Sequence, residues 1–251
     1  MKTDVVRRGR AAGRLLAFAW VLLTAAVQLG FCDRGPAARA RWLQRHCRRA
    51  LAVLGVRIRT RGAAPAGAIV AANHVGYLDI LVLGALRPVV FVAKREVRGW
   101  PLLGWLAAGA GTRFIDRERR RDVVRVAAEF APAVADGVGV VVFLEGTSSD
   151  GRTVLPFKSS LLAPAVAQDW TVAPVAIAYA VPAGLDAATE VCWWGEMTFV
   201  PHLLRLFTLP RIEASVAWGA AETAAGDRKT LAAELHASVT RLHLALATGG
   251  G

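Results

Sequence analysis

The sequence predicts an α/β domain, a mixed and largely parallel sheet flanked by helices, with a membrane-associated helical segment ahead of it. Three observations carry that reading. After Gly55, short runs rich in β-branched residues alternate with longer amphipathic segments, the pattern of strands joined by helical crossovers. Before Gly55, the stretch from Leu15 to Cys32 is apolar apart from Thr24 and Gln28. The 251 residues suffice for one full domain with a sizeable core. Residues 1–55 are therefore expected to form the anchor and interfacial helices, and residues 56–251 the α/β domain.

The elements follow in order. Leu15–Cys32 is at the short end of a membrane span. Arg7, Arg8, Arg10 and Arg14 precede it, and Arg34, Arg39 and Arg41 follow. Basic residues on both flanks leave a true span and a hairpin in one leaflet equally open. No A-x-A site follows the apolar run, which favours a retained anchor over a cleaved signal. From Pro36 to Leu54, Trp42, Leu43, His46, Cys47, Ala50, Leu51 and Leu54 recur at helical spacing, with Arg41, Arg45, Arg48 and Arg49 off the stripe. This helix either rests on an anionic interface or packs on the domain with solvated arginines. His46, on the stripe, reads as structural.

Ala68–Ala72 and Val89–Ala93 read as buried strands, with a helix over Leu78–Leu86 between them. Trp100–Gly111 is expected to be one helix near the membrane. Thr112–Ile115 is a brief strand. Arg119–Ala135 is an amphipathic helix with Val123, Val126, Ala127, Phe130 and Val134 on one face, closed by Gly137. Val138–Phe143, Thr171–Tyr179 and Pro210–Trp218 are strands, and Lys229–Ala247 is the last helix.

The formal net charge is +12, from 31 Lys and Arg against 19 Asp and Glu, so the surface needs an anionic partner. Hydrophobic residues make up 55% and the mean hydropathy is +0.40. With the apolar N-terminal third, this favours membrane lipid. No zinc-finger spacing and no aromatic-basic RNA-binding strand is present, which excludes the common nucleic-acid modules. Cys32, Cys47 and Cys192 are odd in number and far apart. They form neither a disulfide framework nor a metal cluster, which fits a reducing, cytoplasm-facing setting. No G-x-S-x-G elbow appears, which argues against a serine hydrolase.

Three polar motifs sit at strand ends, where ligands gather in open α/β sheets. The first is Asn73-His74-Val75-Gly76-Tyr77-Leu78-Asp79. A turn through Val75 and Gly76 can return the Asp79 carboxylate to one imidazole nitrogen, fixing the tautomer and leaving the other nitrogen to take a proton. Taken alone, Asp79 could equally cap a helix and His74 be an ordinary loop residue. The second is Phe114-Ile115-Asp116-Arg117, whose guanidinium suits phosphate; the following Arg119, Arg120 and Arg121 read as a solvated helix start. The third is Phe143-Leu144-Glu145-Gly146-Thr147-Ser148. Gly146 permits close backbone approach, and its neighbouring N–H groups with the Thr147 hydroxyl could bind an oxyanion.

As an ordered set over residues 65 to 180, these motifs resemble the glycerolipid acyltransferase family typified by 1-acyl-glycerol-3-phosphate acyltransferases. The N-H-x4-D motif is matched by Asn73 through Asp79, F-I-D-R by Phe114 to Arg117, and F-P-E-G-T-R at Phe143, Glu145, Gly146 and Thr147. Lys94, Glu96, Pro101 and Gly104 match the family's Lys-x-Glu segment followed by Pro and Gly ahead of the second motif, and Val172–Val175 with Pro174 the fourth motif, a hydrophobic strand carrying a Pro. The stretches 151–162 and 192–206 are similar to a bacterial subgroup that includes lyso-ornithine-lipid acyltransferases.

The resemblance implies residues 56–251 as an acyltransferase domain at the bacterial inner membrane, facing the cytoplasm. It implies transfer of an acyl group from acyl-CoA or acyl carrier protein onto the hydroxyl of 1-acyl-glycerol-3-phosphate, giving phosphatidic acid. His74 is then the general base and Asp79 its orienting partner. Asn73, Arg117, Glu145, Gly146, Thr147 and Lys158 are expected to bind substrate, and backbone N–H groups near Gly76 or Gly146 to hold the oxyanion. No metal, no redox cofactor and no nucleic acid is implied; the partners are membrane lipids, the lysolipid and the thioester. Two departures matter. Leu144 replaces the family's Pro, which affects loop stiffness. Ser148 replaces an Arg that in the family helps hold the acceptor phosphate, with Arg117, Arg152 and Lys158 as candidate substitutes. The acceptor could therefore instead be lyso-ornithine lipid or another lysolipid without a phosphate. A membrane-anchored binding protein on the same fold is the non-enzyme alternative.

Overall fold

The computed structural model describes residues 2–115 and 120–248. Two helices lead, α1 (Lys2–Gly30) and α2 (Pro36–Leu54), followed by β1 (Val56–Arg61), β2 (Ile69–Ala72), α3 (Leu78–Leu86) and β3 (Val89–Lys94). A 3₁₀ turn (Arg95–Gly99), α4 (Leu103–Gly109), β4 (Arg113–Ile115), α5 (Arg120–Ala135) and β5 (Gly139–Phe143) come next. A second 3₁₀ turn (Ser159–Leu162) leads to α6 (Ala163–Ala167), β6 (Thr171–Ala180), α7 (Ala187–Glu190) and α8 (Phe199–Thr208). The chain ends with β7 (Ile212–Trp218), β8 (Glu222–Thr223) and α9 (Arg228–Thr248).

The strands form one mixed, largely parallel sheet in the order β1-β7-β6-β2-β5-β3-β4, with β8 on β6. Only the β6 pairings with β7 and β8 are antiparallel. β2 lies between β5 and β6 and is buried along its whole length, as its unbroken apolar run requires. Its side chains alternate between two cores, as the two-residue period of a strand dictates. Val70 and Ala72 join Leu51, Leu78 and Phe207 on the α2/α3/α8 face. Ile69 and Ala71 join Phe130, Leu162 and Leu235 on the α5/α6/α9 face.

The register places the site. Ala72 pairs with Phe143 and with Val175, so the loops after β2 and β5 emerge side by side. β6 continues beyond that pair to Ala180, which carries Ile177 and Tyr179 along the loop that follows β2.

α2 packs on α3, close enough that a Cβ on Gly84 would lie 2.8 Å from Cys47 Sγ. Gln44 and Arg48 donate to the Ala85 carbonyl, while Arg41, Arg45 and Arg49 stay exposed. The apolar stripe of α2 is thus packed on the domain, and its exposed arginines stand on the outer face. α1 is packed as well. Arg14 donates to the carbonyls of Phe207 and Leu209 at the end of α8, satisfying orphan acceptors there. Near its other end, Leu29 fills the space a Cβ on Gly109 would take.

The structure differs from expectation at Trp100–Gly111, at β1 and at α8. Trp100–Gly111 is not one helix. Pro101 and a γ-turn at Leu102 (φ 58°), closed by Leu103 N–H donating to Pro101 O at 2.6 Å, separate the 3₁₀ turn from α4. β1 carries only a weak strand signal in sequence, because its alternation interleaves Val56 and Ile58 with Arg57, Arg59 and Arg61, an exposed edge strand. α8 was missed because ten residues beginning Phe-Val-Pro give too few turns to fix a period.

Candidate active site

His74 and Asp79 are brought together. The turn through Val75 and Gly76 places Asp79 in the first turn of α3, and His74 Nδ1 lies 2.8 Å from Asp79 Oδ2. Asp79 is fully buried, so its charge must be met by donors. Val75 N–H and Gly76 N–H donate to Oδ2 at 2.7 and 3.1 Å, and the Tyr179 hydroxyl donates to Oδ1 at 2.8 Å. The carboxylate thus holds Nδ1–H and leaves Nε2 for a substrate hydroxyl. The imidazole stacks on Phe143, with centroids 3.9 Å apart and planes at 17°.

The Glu145 loop clamps the same histidine from both sides of its peptide. Glu145 Oε1 accepts from His74 N–H at 3.1 Å, and Ser149 N–H donates to His74 O at 3.0 Å. Glu145 itself is buried, and its Oε2 has no hydrogen-bond partner among the described residues. Burial pushes its carboxyl up to about 8, opposed by the His74 N–H and reinforced by the nearby Asp79 charge. At neutral pH this side chain is therefore mostly a neutral acid.

Asn73 does not face the solvent. Its side chain donates to Ile177 O at 3.0 Å and accepts from Ile177 N–H at 2.8 Å, locking the loop to β6. Gly146 adopts φ +75°, and a Cβ there would lie 2.8 Å from Lys158 Nζ. Lys158 thus lies over the Glu145–Thr147 turn, with its amine next to Gly146, and Thr147 is exposed. Arg117 lies outside the described residues. Arg152, the other candidate substitute for the missing arginine, is paired with Asp186 at 3.0 Å. The N–H groups of Gly76 and Gly146 themselves are engaged inside the protein, by Asp79 Oδ2 and Phe143 O respectively, so an oxyanion donor in this region would have to be a neighbouring N–H rather than either glycine's own.

Sequence reasoning missed Tyr179, Phe143 as a stacking platform, and Trp193. Trp193 N–H donates to Val75 O at 2.7 Å, and a Cβ on Gly76 would come within 2.9 Å of Trp193 N. Tyr179 ended an expected strand, but nothing local in sequence points it at Asp79.

Tyr77, three residues after His74, leads to an apolar cavity of about 340 Å³. Its walls come from α1, α2, α3, β3, α4 and α8, and include Phe18, Trp42, Ile80, Phe91, Leu103 and Phe199. The Tyr77 hydroxyl is hydrogen-bonded to His202 Nδ1 at 2.8 Å, and its ring meets Phe199 and Trp193 edge to face. A second cavity of about 580 Å³, lined by Arg59, Arg61, Arg152, Asp186 and Glu213, shares Val75 and Tyr179 with the site's wall.

The sequence and the fold both have known relatives. A family profile described as Acyltransferase matches residues 55–178. The chain is 39% identical over 195 residues to the lyso-ornithine lipid O-acyltransferase of Rhizobium meliloti, covering 72% of this chain and 67% of that one. It is 37% identical over 205 residues to the protein of the same name from Brucella abortus, 76% and 77% of the two chains. It is also 37% identical over 138 residues to a 1-acyl-sn-glycerol-3-phosphate acyltransferase of Neisseria meningitidis, 52% and 54% of the two chains. The crystal structure of a 1-acyl-sn-glycerophosphate acyltransferase from Thermotoga maritima superposes with a TM-score of 0.69 over 96% of this chain and 98% of that one, at 22% identity. That likeness establishes the fold; the sequence relatives show that this chain belongs to the acyltransferase family and is an acyl-transferring enzyme.

Proposed function

We propose that this enzyme moves a fatty acyl group from an acyl-CoA or acyl carrier protein thioester onto the hydroxyl of a lysolipid, with lyso-ornithine lipid as the acceptor. The observation that carries the chemistry is the His74–Asp79 pair, with Nε2 left available, one turn away from an apolar cavity. His74 Nε2 takes the hydroxyl proton as the oxygen attacks the thioester carbonyl. Asp79 holds the ring and balances the imidazolium that forms. The tetrahedral intermediate then collapses, the thiolate leaves, and the imidazolium returns its proton to the thiolate. The cavity supplies a dry channel for one acyl chain.

Two observations support the choice of acceptor. The lyso-ornithine lipid relatives align over 66–76% of this chain, against 52% for the Neisseria relative. Position 148 is Ser, so the loop lacks a cation that a phosphate would use at about 1.5–3 kcal/mol per charge-assisted hydrogen bond. The second reading, 1-acyl-glycerol-3-phosphate as acceptor, is favoured by Lys158, whose amine lies beside Gly146.

Membrane attachment follows from the surface. The stretch Arg7–Gly30 is long and apolar enough to cross a membrane. Yet α1 is tied to the domain at both ends, and its outward stripe of Leu16, Trp20, Leu23 and Val27 is exposed, as is Phe31 just after it. Leu102 and Trp105 near α4 and Val200 and Leu204 on α8 extend that apolar face. An apolar face of this extent fits insertion into one leaflet, and on this reading the leaflet is the cytoplasmic one of a bacterial inner membrane. His74→Ala tests the chemistry: turnover is expected to fall by ~10²–10⁴ with the fold intact, and an unchanged rate would refute the assignment.

A further inference from the structure

We infer that Tyr179 is a positioning residue of this acyltransferase: together with Asn73 it closes a ring of contacts that holds Asp79 aimed at His74. The inference rests on the His74 general-base reading above. The ring can be followed atom by atom. Asn73, at the end of β2, binds both the N–H and the C=O of Ile177 through its side chain. Two residues on, Tyr179 donates its hydroxyl to Asp79 Oδ1 at 2.8 Å. Asp79 Oδ2 meets His74 Nδ1 at 2.8 Å, and His74 is the chain neighbour of Asn73.

Each part of the ring is needed for a stated reason. Val75 and Gly76 N–H and His74 Nδ1 all converge on Oδ2. Without Tyr179, Oδ1 would be a buried carboxylate oxygen with no donor among the described residues, and the carboxylate could rotate about its Cβ–Cγ bond. Burial and the Asp79 charge raise the phenol well above its ordinary range, so it stays a donor throughout the working pH range. β6 is the right strand to carry it, because its register with β2 is fixed at Ala72–Val175 and it runs on past the catalytic loop. The other titratable groups acting on this pair are Glu145, which faces Asp79 from the β5 loop, and Cys192, whose thiol burial pushes up to about 12.

The sign of the effect on His74 is defined. Removing the Tyr179 donor concentrates carboxylate charge on the imidazole, which favours the imidazolium. The acid limb of kcat/KM should then move up, because the base must be neutral to act. Tyr179→Phe is expected to lower kcat about tenfold, the order of one lost charge-assisted hydrogen bond. It should leave KM for the thioester unchanged and move the acid limb up by about half a pH unit. In an Asp79→Asn background the same change should have little further effect, since the two act through one contact.

The chain has two tyrosines, Tyr77 and Tyr179. Global incorporation of 2,3-difluorotyrosine into Tyr77→Phe protein therefore alters Tyr179 alone. The more acidic phenol is a stronger donor and should move the acid limb down, in a protein that keeps its hydroxyl and its packing. Opposite shifts in the two proteins support the ring. Wild-type kcat and pH profile in Tyr179→Phe, or an equal loss in the Asp79→Asn background, would overturn it. An unmoved limb in the fluorinated protein would also overturn it, and is the decisive result if Tyr179→Phe does not fold. If His74→Ala is itself fully active, the general-base reading has failed instead, and the two failures are distinct.

Discussion

Asp79→Asn separates the charge of the carboxylate from its hydrogen bonds. An asparagine oxygen in the place of Oδ2 can still accept from His74 Nδ1, Val75 N–H and Gly76 N–H, and the amide nitrogen can face a reoriented Tyr179 hydroxyl. What disappears is the negative charge facing the imidazolium that forms as the acceptor loses its proton. With the Nδ1–Oδ2 contact at 2.8 Å, the centres of charge are about 4 Å apart, and at an effective dielectric of about 20 their attraction is about 4 kcal/mol. At about 1.4 kcal/mol per decade this is ~10³-fold in kcat. The assay is thiol release from a saturating acyl thioester with lysolipid in mixed vesicles, alongside thermal unfolding to confirm that the fold is intact. A kcat within about fivefold of wild type is what a solvent-exposed ion pair gives, and it would refute the role assigned to this buried one.

Two further outcomes follow from the same geometry. Glu145 has its carboxyl raised from 4.5 to about 8 by burial, so between those values the folded chain holds a proton that the unfolded chain releases. Its contribution to stability is greatest below about 4.5, declines up to about 8, and is level above. Glu145→Gln removes that decline, so urea unfolding should show the variant gaining on wild type between pH 5.5 and 8.5 by an amount on the order of a few kcal/mol; a pH-independent difference would contradict this. Gly76→Ala puts a Cβ 2.9 Å from Trp193 N, so the loop must shift. A stability loss of about 1–3 kcal/mol, with a lower kcat at similar thioester KM, is expected, and a fully active, fully stable variant would show that the contact is slack.

Much of the fold was legible because its central strands are unambiguous. The runs at 69–72, 139–143 and 171–180 are buried and β-branched, and their neighbours are bounded by Gly or Pro. His74 and Asp79 were legible because five residues is the reach of one tight turn into a helix. The contacts of Tyr179, Phe143 and Trp193 were not, since each depends on strand register or on a loop packed from over a hundred residues away. Asn73 shows the intermediate case. Its place in the motif was readable, but its side chain turns inward to Ile177 rather than toward substrate. The engagement of the Gly76 and Gly146 N–H groups was not legible either, for a local reason: tight turns consume their own donors.

The most direct test supplies the purified protein in vesicles with a radiolabelled acyl thioester, carried on CoA or on acyl carrier protein, together with lyso-ornithine lipid or lysophosphatidate. His74→Ala serves as the blank. The account predicts labelled ester on lyso-ornithine lipid that is lost in the blank, with lysophosphatidate the poorer acceptor. Transfer to lysophosphatidate alone would contradict the acceptor assigned here, and transfer to neither, or equal transfer by the blank, would contradict the account at its centre.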